Sequence, residues 1–314
     1  MTAIARAEPC PVSRALLAGA GVDHDQVLDL VRRALAEDLA WGPDVTTQAT
    51  IPAGAHGTAY VVAHAPGTVA GLGVAAAVLE ALSVIAGPGG DPIVIEALVR
   101  DGDRIEPGDR LLRLAGPLRQ LLTAERTLLN LLCQLSGVAT ETARWVRALA
   151  PPPGSEESGR SAVSVRDTRK TVPGLRALQK YAVRCGGGVN HRMGLGDAAL
   201  IKDNHVAAAG SVTAAYRAVR DHDPTIAVEV ECDTLAQVAE ALAAGAGLIL
   251  LDNMDPDELR TAVALARPHA VKLEASGGLT LERAAEVAAT GVDYVAVGAL
   301  THSAPALDLG LDLD

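Results

Sequence analysis

Phenylalanine is absent from this 314-residue chain, and two Trp and four Tyr are its only aromatic residues. A surface that stacks single-stranded bases is built on such rings, so a nucleic-acid partner has little to rest on. Cysteine is also scarce. Cys10, Cys133, Cys185 and Cys232 lie far apart, with no CxxC pair and no metal-ligand spacing, which fits free thiols in a reducing compartment. A secretory leader is not evident: Arg6, Glu8 and Arg14 interrupt the N-terminal stretch and no long apolar core follows. The run 69–86 superficially resembles a membrane span, but it is mostly Ala and Gly and carries Glu80. It reads better as a turn followed by an amphipathic helix. No GxGxxG follows the first strand, so a dinucleotide fold lacks its fingerprint. Positive charge is short overall, and the formal net charge of -11 argues against anionic membranes and nucleic acid. The absences together describe a cytoplasmic protein with neither kind of partner.

What the chain does have is aliphatic. Its apolar fraction of 49% is dominated by Ala, Val and Leu, enough for a sizeable core in one large domain or two smaller ones. Helical spacing marks 25–40 and 72–86, with a strand-like stretch at 57–69 between them. The WGPDVTT segment breaks the first helix. Turns at DGD and EPGD punctuate 93–114 into short antiparallel strands. A long helical pattern covers 118–149, with a candidate break at Ser136–Gly137, and PPPGSEESGR (151–160) is the clearest loop. The rhythm then changes. Strands at 162–167, 198–202, 226–231, 247–252, 270–275 and 294–298 alternate with helices near 174–185, 206–221, 234–244, 255–266 and 280–289. Ser211, Thr234, Asp255 and Thr280 stand where caps belong. Such alternation implies a parallel sheet. Charged or Gly-rich residues follow strand after strand, which favours a barrel, where those ends share one mouth.

Within 160–205, nine Lys or Arg face three Asp, a local charge of +6 in an acidic chain. A basic island of this kind suggests a bound anion. Arg169, Lys170, His191, Arg192 and Lys202 are its centre; Arg supplies a bidentate fork and Lys a point charge, while His191 alone is the weaker member, since a histidine there can simply orient the loop. GGGVN (186–190) reads as a loop closing over ligand or backbone, and His205 as a hydrogen-bonding residue of the KDNH turn. SGGLT (276–280) and VGALT (297–301) each follow a late strand, where glycine lets backbone N–H groups and a helix start approach a phosphate. Such turns also need Gly for geometry alone, but two in successive units favour phosphate. Glu231 and Asp252 end adjacent strands, where two carboxylates suit magnesium, a ribose diol or a sugar cation. Arg126, on a helix that buries Leu128, Leu129, Leu131 and Leu132, reads from pattern alone as a surface residue.

The segments TAERTLLNLL, LSGVAT, DTRKTVPGLR, GGGVNHRMGL, IKDNH, VEVE, LILLDNM, EASGGL and VGALTHSAPALDLGLD, in that order over about 25–314, resemble the quinolinate phosphoribosyltransferases. The resemblance implies an α/β fold: an incomplete β/α barrel (129–301) beside an N-terminal α+β open-faced sandwich (1–128), to which 302–314 return. It implies phosphoribosyl transfer from phosphoribosyl pyrophosphate to quinolinate with decarboxylation, giving nicotinate mononucleotide, pyrophosphate and carbon dioxide in NAD biosynthesis. It also implies a homodimer with shared active sites, or a higher oligomer, in which Arg126 reaches the partner's substrate. Thr168, Arg169, Lys170, His191, Arg192 and Lys202 match residues holding the quinolinate carboxylates and the pyrophosphate. Glu231 and Asp252 match acids near the ribose and magnesium (Mg2+), bound directly or indirectly. Ser276, Gly277, Gly278, Val297, Gly298 and Ala299 match the 5-phosphate loops. Lys170, Lys202, Glu231 and Asp252 carry the catalytic roles. Pro43, Val172, Cys185 and the long 151–160 loop depart from the family pattern without touching these positions.

The nearest alternative is the ModD-like paralogous group linked to molybdenum transport. Retention of DTRKT, NHR and KDNH together favours quinolinate. A more distant nicotinate phosphoribosyltransferase, with one substrate carboxylate, would need fewer cations. A Schiff-base aldolase built on Lys202 would need a depressed amine pKa, which an anion-binding site opposes. A non-catalytic phosphate-binding regulator would not need the carboxylate pair. Steady-state assays of three variants test the assignments: Lys170→Ala and Lys202→Ala should lose far more rate than Lys272→Ala. Equal activities across the three would refute them.

Overall fold

The computed structural model describes residues 11–86, 91–151 and 163–314. Cys10 and residues 152–160 of the expected loop lie outside them. Packing divides the chain into two compact units, one of 1–141, 173–186 and 304–314 and one of 142–172 and 187–303.

In the first unit, α1 (Pro11–Leu17) and α2 (His24–Asp38) pack on α4 (Leu72–Ala86). Between α2 and α4 come α3 (Val45–Thr50), β1 (His56–Ala63) and β2 (Gly67–Thr68). The WGPDVTT break has a local cause: Asp44 caps α3 by accepting the Thr47 N–H at 2.9 Å. The α4 helix is buried almost all round, from Leu72 through Leu82. Its Ala-rich sequence has little amphipathic contrast because it faces protein on most sides. After β3 (Val94–Ala97), β4 (Arg104–Ile105) and β5 (Arg110–Pro117), the long α5 (Leu118–Leu149) follows. An antiparallel sheet runs in the order β12-β1-β5-β3, where β12 (Leu309–Leu313) is the returning C-terminus. Ala63 lies opposite Leu309 in that pairing. The helix α6 (Arg176–Cys185) also clusters with this unit. Its Tyr181 hydroxyl donates to Asp101 at 2.6 Å and its Arg184 guanidinium donates to the Ala20 carbonyl.

The second unit carries the expected alternation: β6 (Ser164–Arg166), β7 (Ala199–Ile201), α7 (Asp203–Ala209), α8 (Val212–His222), β8 (Val228–Cys232), α9 (Leu235–Ala244), β9 (Leu248–Asp252), α10 (Pro256–Ala266), β10 (Lys272–Ser276), α11 (Ala284–Ala288), β11 (Tyr294–Ala296) and α12 (Ala299–His302). The six strands are parallel in the order β6-β11-β10-β9-β8-β7; among the described residues β7 has no further strand, and β6 meets only an isolated parallel bridge from Arg166 to Val189. The barrel is therefore incomplete. Ser211, Thr234 and Asp255 cap α8, α9 and α10 through their side chains. At α10 the reciprocal bond is present too: Glu258 accepts the Asp255 N–H at 3.0 Å.

Three expectations need correction. The 206–221 helix is two helices, because Gly210 adopts a left-handed φ of 96° and Ser211 restarts the chain. The 280–289 helix is a 3-10 turn at 281–283 followed by the five-residue α11. The α5 helix is not broken at Ser136–Gly137. Gly137 is there for close approach: a Cβ would strike the Pro305 carbonyl and lie 3.0 Å from the Ala306 Cα. Overpacking of that kind costs about 1–3 kcal/mol. Gly137→Ala should lower unfolding stability by that order in denaturant titration, although alanine is the better helix former. Unchanged or raised stability would contradict this reading.

Candidate active site

Parallel strands bring their C-terminal ends to one side of a sheet. In sheet order those ends carry Lys202 (after β7), Glu231 (in β8), Asp252 (β9), Ser276 (β10), Val297–Ala299 (after β11) and Thr168–Lys170 (after β6). Register places Ser276 beside Asp252 and Ala296 beside Arg166. The structure thus collects the predicted residues of the second unit along one rim. Lys272 opens β10 at the opposite end and pairs with Asp293 at 2.5 Å.

Neighbouring strand ends are tied in pairs. Lys202 Nζ donates to Glu231 at 2.5 Å, joining β7 to β8. The Asn253 N–H donates to the Ser276 carbonyl at 2.9 Å, joining β9 to β10. The Thr301 hydroxyl donates to the Lys170 carbonyl at 2.8 Å, joining the β11 and β6 ends. A Cβ at Gly298 would lie 3.1 Å from Lys170 Cδ, so glycine there leaves room for that lysine. Gly277 and Gly278 have φ of 87° and 59°, a region that favours glycine. Their N–H groups donate to no backbone carbonyl among the described residues. The expected help from helix starts is slight: only a 3-10 turn follows the SGG loop, and α12 has four residues. Anion capacity at these loops rests on their backbone amides.

The cations are loaded against one another. Arg192 is half-buried, and burial followed by the nearby Arg169 charge pulls its pKa below the usual guanidinium range. Both groups remain charged at neutral pH. Arg169 Nε is buried with no hydrogen-bond partner among the described residues, which is the cost an incoming anion would remove. His205 accepts the Lys202 N–H at 2.9 Å and shapes its turn.

His191 takes the loop-orienting role left open to it rather than that of a cation. Its Nδ1 accepts the Arg192 backbone N–H at 2.7 Å, while Nε2 faces Glu229 at 2.7 Å. A nitrogen that accepts cannot carry the proton, so Nε2–H donates to Glu229 and the ring is neutral. At 8% exposure with both nitrogens engaged, His191 orients Arg192. The Arg126 side chain is 65% exposed and meets Glu125 at 3.9 Å. It belongs to the first unit, whereas the other predicted residues lie in the second.

Beneath the rim lies a charged layer that the sequence reading did not single out. Arg166 donates to Glu274 and lies 3.9 Å from Glu229. Its guanidinium also covers the Tyr294 ring at 4.8 Å. Glu229 and Glu274 are 4% and 0% exposed. Burial, then the Glu229 charge, push the Glu274 pKa up to about 8, against the pull of Arg166. Asp167, fully buried, accepts from Asn190 Nδ2 at 2.5 Å and the His191 N–H at 2.9 Å. The available signal was period two: Glu229 shares a strand face with Glu231, and Glu274 with Ser276.

Among the described residues, His191, Glu229 and Glu274 are a group of metal-ligating type close enough to share an ion. The Arg166 guanidinium already fills that role. Glu231 and Asp252 suit magnesium in donor type, and two carboxylates are what such an ion takes when phosphate oxygens complete its shell.

The family models for the quinolinate phosphoribosyl transferase N-terminal and C-terminal domains match residues 44–136 and 138–312. A nicotinate-nucleotide pyrophosphorylase [carboxylating] of Mycobacterium leprae is 53% identical over 93% of this chain and 98% of its own. A probable enzyme of the same name from Bacillus subtilis is 42% identical over 93% and 95%. The crystal structure of NadC from Streptococcus pyogenes superposes with a TM-score of 0.83 at 37% identity, covering 93% of this chain and 99% of that one. The chain belongs to the quinolinate phosphoribosyltransferase family.

Glu274 also sets a pH dependence. It keeps its proton in the fold at pH values where the same carboxyl in the unfolded chain, with its ordinary pKa of 4.5, has lost it. The folded state then binds more protons, so this contribution to stability is full below that value and is lost as pH rises towards about 8. Denaturant titrations of wild type and Glu274→Gln should show the stability difference shifting in favour of the Gln variant across that window. A constant difference would contradict the assignment.

Proposed function

We propose that the protein transfers the phosphoribosyl group of phosphoribosyl pyrophosphate to quinolinate and decarboxylates the product. The observation that carries this reading is the buried Nε of Arg169, without a hydrogen-bond partner among the described residues, beside the charge of Arg192. A guanidinium pair held in mutual repulsion fits a dianionic acceptor. The relatives favour quinolinate over the ModD-like alternative.

Thr168, Arg169, Arg192 and Lys202 would hold the two carboxylates of quinolinate, with His191 holding Arg192 in place. Lys170 would meet the diphosphate, and the Ser276–Gly278 and Val297–Ala299 loops the 5-phosphate. The pyridine nitrogen forms its bond to ribose C1 as the C1–O bond breaks and diphosphate leaves with the electron pair. Glu231 and Asp252 stabilise the positive charge that develops on the ribose. Lys202 fixes the Glu231 carboxylate through its hydrogen bond and still has donors for a ligand, since an ammonium offers three. The 2-carboxylate then leaves as carbon dioxide, its bonding pair held at C2 in the ring plane and stabilised by the adjacent cationic nitrogen, and C2 takes up a proton from solvent. Catalysis here is positioning and charge stabilisation; no covalent nucleophile is required. Magnesium arriving with the diphosphate would neutralise leaving-group charge, with Glu231 and Asp252 as the protein ligands, directly or through water.

A homodimer with shared sites is part of the proposal. It is supported by exposed Arg126 and by the exposed apolar side chains of Trp41, Val45, Val84 and Ile85, which an interface would cover. No helix among the described residues is long and apolar enough to cross a membrane, and Cys133, Cys185 and Cys232 are free thiols; both support a cytoplasmic location. Purified protein with quinolinate, phosphoribosyl pyrophosphate and magnesium should yield nicotinate mononucleotide and carbon dioxide, and none with nicotinate in place of quinolinate. Absence of both products, with phosphoribosyl pyrophosphate still bound, would return the assignment to the ModD-like group.

A further inference from the structure

Asn253 stands just past β9 in a conformation that side chains rarely adopt, with φ of 55°. Asn tolerates this region better than most residues, yet glycine would occupy it without strain. Two side-chain contacts, helped by one backbone bond, explain why a side chain is kept. Its Nδ2 donates to Asp252 at 2.6 Å. Its backbone N–H donates to the Ser276 carbonyl at 2.9 Å. Its amide lies so close over Gly277 that a Cβ there would collide with Oδ1, and would sit 2.9 Å from the Asn253 nitrogen. The amide orientation is fixed by chemistry: an ionised carboxylate only accepts, so the NH2 end must face Asp252. Oδ1 is thereby turned onto the glycine loop.

We propose that Asn253 is a positioning residue that locks the Asp252 carboxylate and the Gly277–Gly278 loop into one rigid unit. The inference rests on the phosphoribosyl-transfer reading and deepens it. Asp252 serves the ribose and the glycine loop its 5-phosphate, so one amide sets the distance between the sites at two ends of the same sugar phosphate. The left-handed backbone brings the amide over Gly277, and the positive φ of Gly277 keeps that surface free of a side chain. Asp is excluded at 253 although it also tolerates this φ, because it would set a second carboxylate against Asp252.

The test compares wild type with Asn253→Gly, Asn253→Ala and Asn253→Asp, and combines Asn253→Asp with Asp252→Asn. Calorimetric binding of ribose 5-phosphate is read first, then KM for phosphoribosyl pyrophosphate, KM for quinolinate and kcat. Thermal melting reports folding, and Asn253→Gly relieves the backbone, so it tests the amide even if the Ala variant folds poorly. Loss of a hydrogen bond to a charged group predicts ribose 5-phosphate binding weakened about tenfold in the Gly and Ala variants. The Asp variant should be weaker still, and its excess loss should vanish when Asp252 becomes Asn. KM for quinolinate should stay near the wild-type value. A Gly variant that binds and turns over like wild type would make Asn253 a mere turn residue and overturn the proposal. So would a loss that falls equally on quinolinate, or a wild type that does not bind ribose 5-phosphate. A wild type that binds ribose 5-phosphate but leaves quinolinate unconverted would sink only the quinolinate reading, and the order of the variants in binding would still decide on Asn253.

Discussion

The buried contact of Arg166 with Glu274 and Glu229 is the constraint on which the rest of the site depends. Two carboxylates and one guanidinium share a dry interior. Removing one partner of such a group typically costs about 3–5 kcal/mol, because the other charges are left uncompensated. The proton on Glu274 lets the group exist: burial and the Glu229 charge together disfavour a second anion. Glu229 then takes the Nε2–H of His191, whose other nitrogen takes the Arg192 N–H. A chain of defined donors and acceptors therefore runs from the barrel interior to the backbone of a rim cation.

The rim itself is stiffened by the pairwise ties. Lys202–Glu231, Asn253–Ser276 and Thr301–Lys170 each cross from one strand end to the next. Glycine supplies room at two of these crossings, Gly277 under Asn253 and Gly298 beside Lys170. A site for two polyanions has to hold like charges together before any ligand arrives. Fixed backbone and internal hydrogen bonds make that arrangement possible.

Much of this was legible in sequence because it depends on local pattern. The alternation after residue 162, the caps at Ser211, Thr234 and Asp255, and the cationic segments DTRK, NHR and IKDNH all report their surroundings directly. The break at Gly210 was missed because a left-handed residue inside an apolar period leaves no periodic trace. Gly137 misled in the other direction: its reason is the distant Pro305 carbonyl, which no local rule reaches. The charged layer was missed for the same cause. Glu229 and Glu274 look like outward residues of half-exposed strands until the sheet brings Arg166 to them. The choice for His191 between cation and loop anchor stayed open in the sequence because its tautomer depends on a neighbour's backbone and on Glu229, neither visible in the residue itself.

The basic island and the acidic remainder of the chain thus have distinct tasks, with Glu229 supplying negative charge beneath the island. The most direct measurement of this account is nitrogen-15 magnetic resonance of ring-labelled histidine at about pH 8, above the ordinary imidazole range. His191 is assigned by the signals lost in His191→Gln. The account predicts a neutral ring with a slowly exchanging proton on Nε2 and an unprotonated Nδ1. A doubly protonated ring, a proton on Nδ1, or an Nε2 proton that exchanges as freely as an exposed one would contradict it.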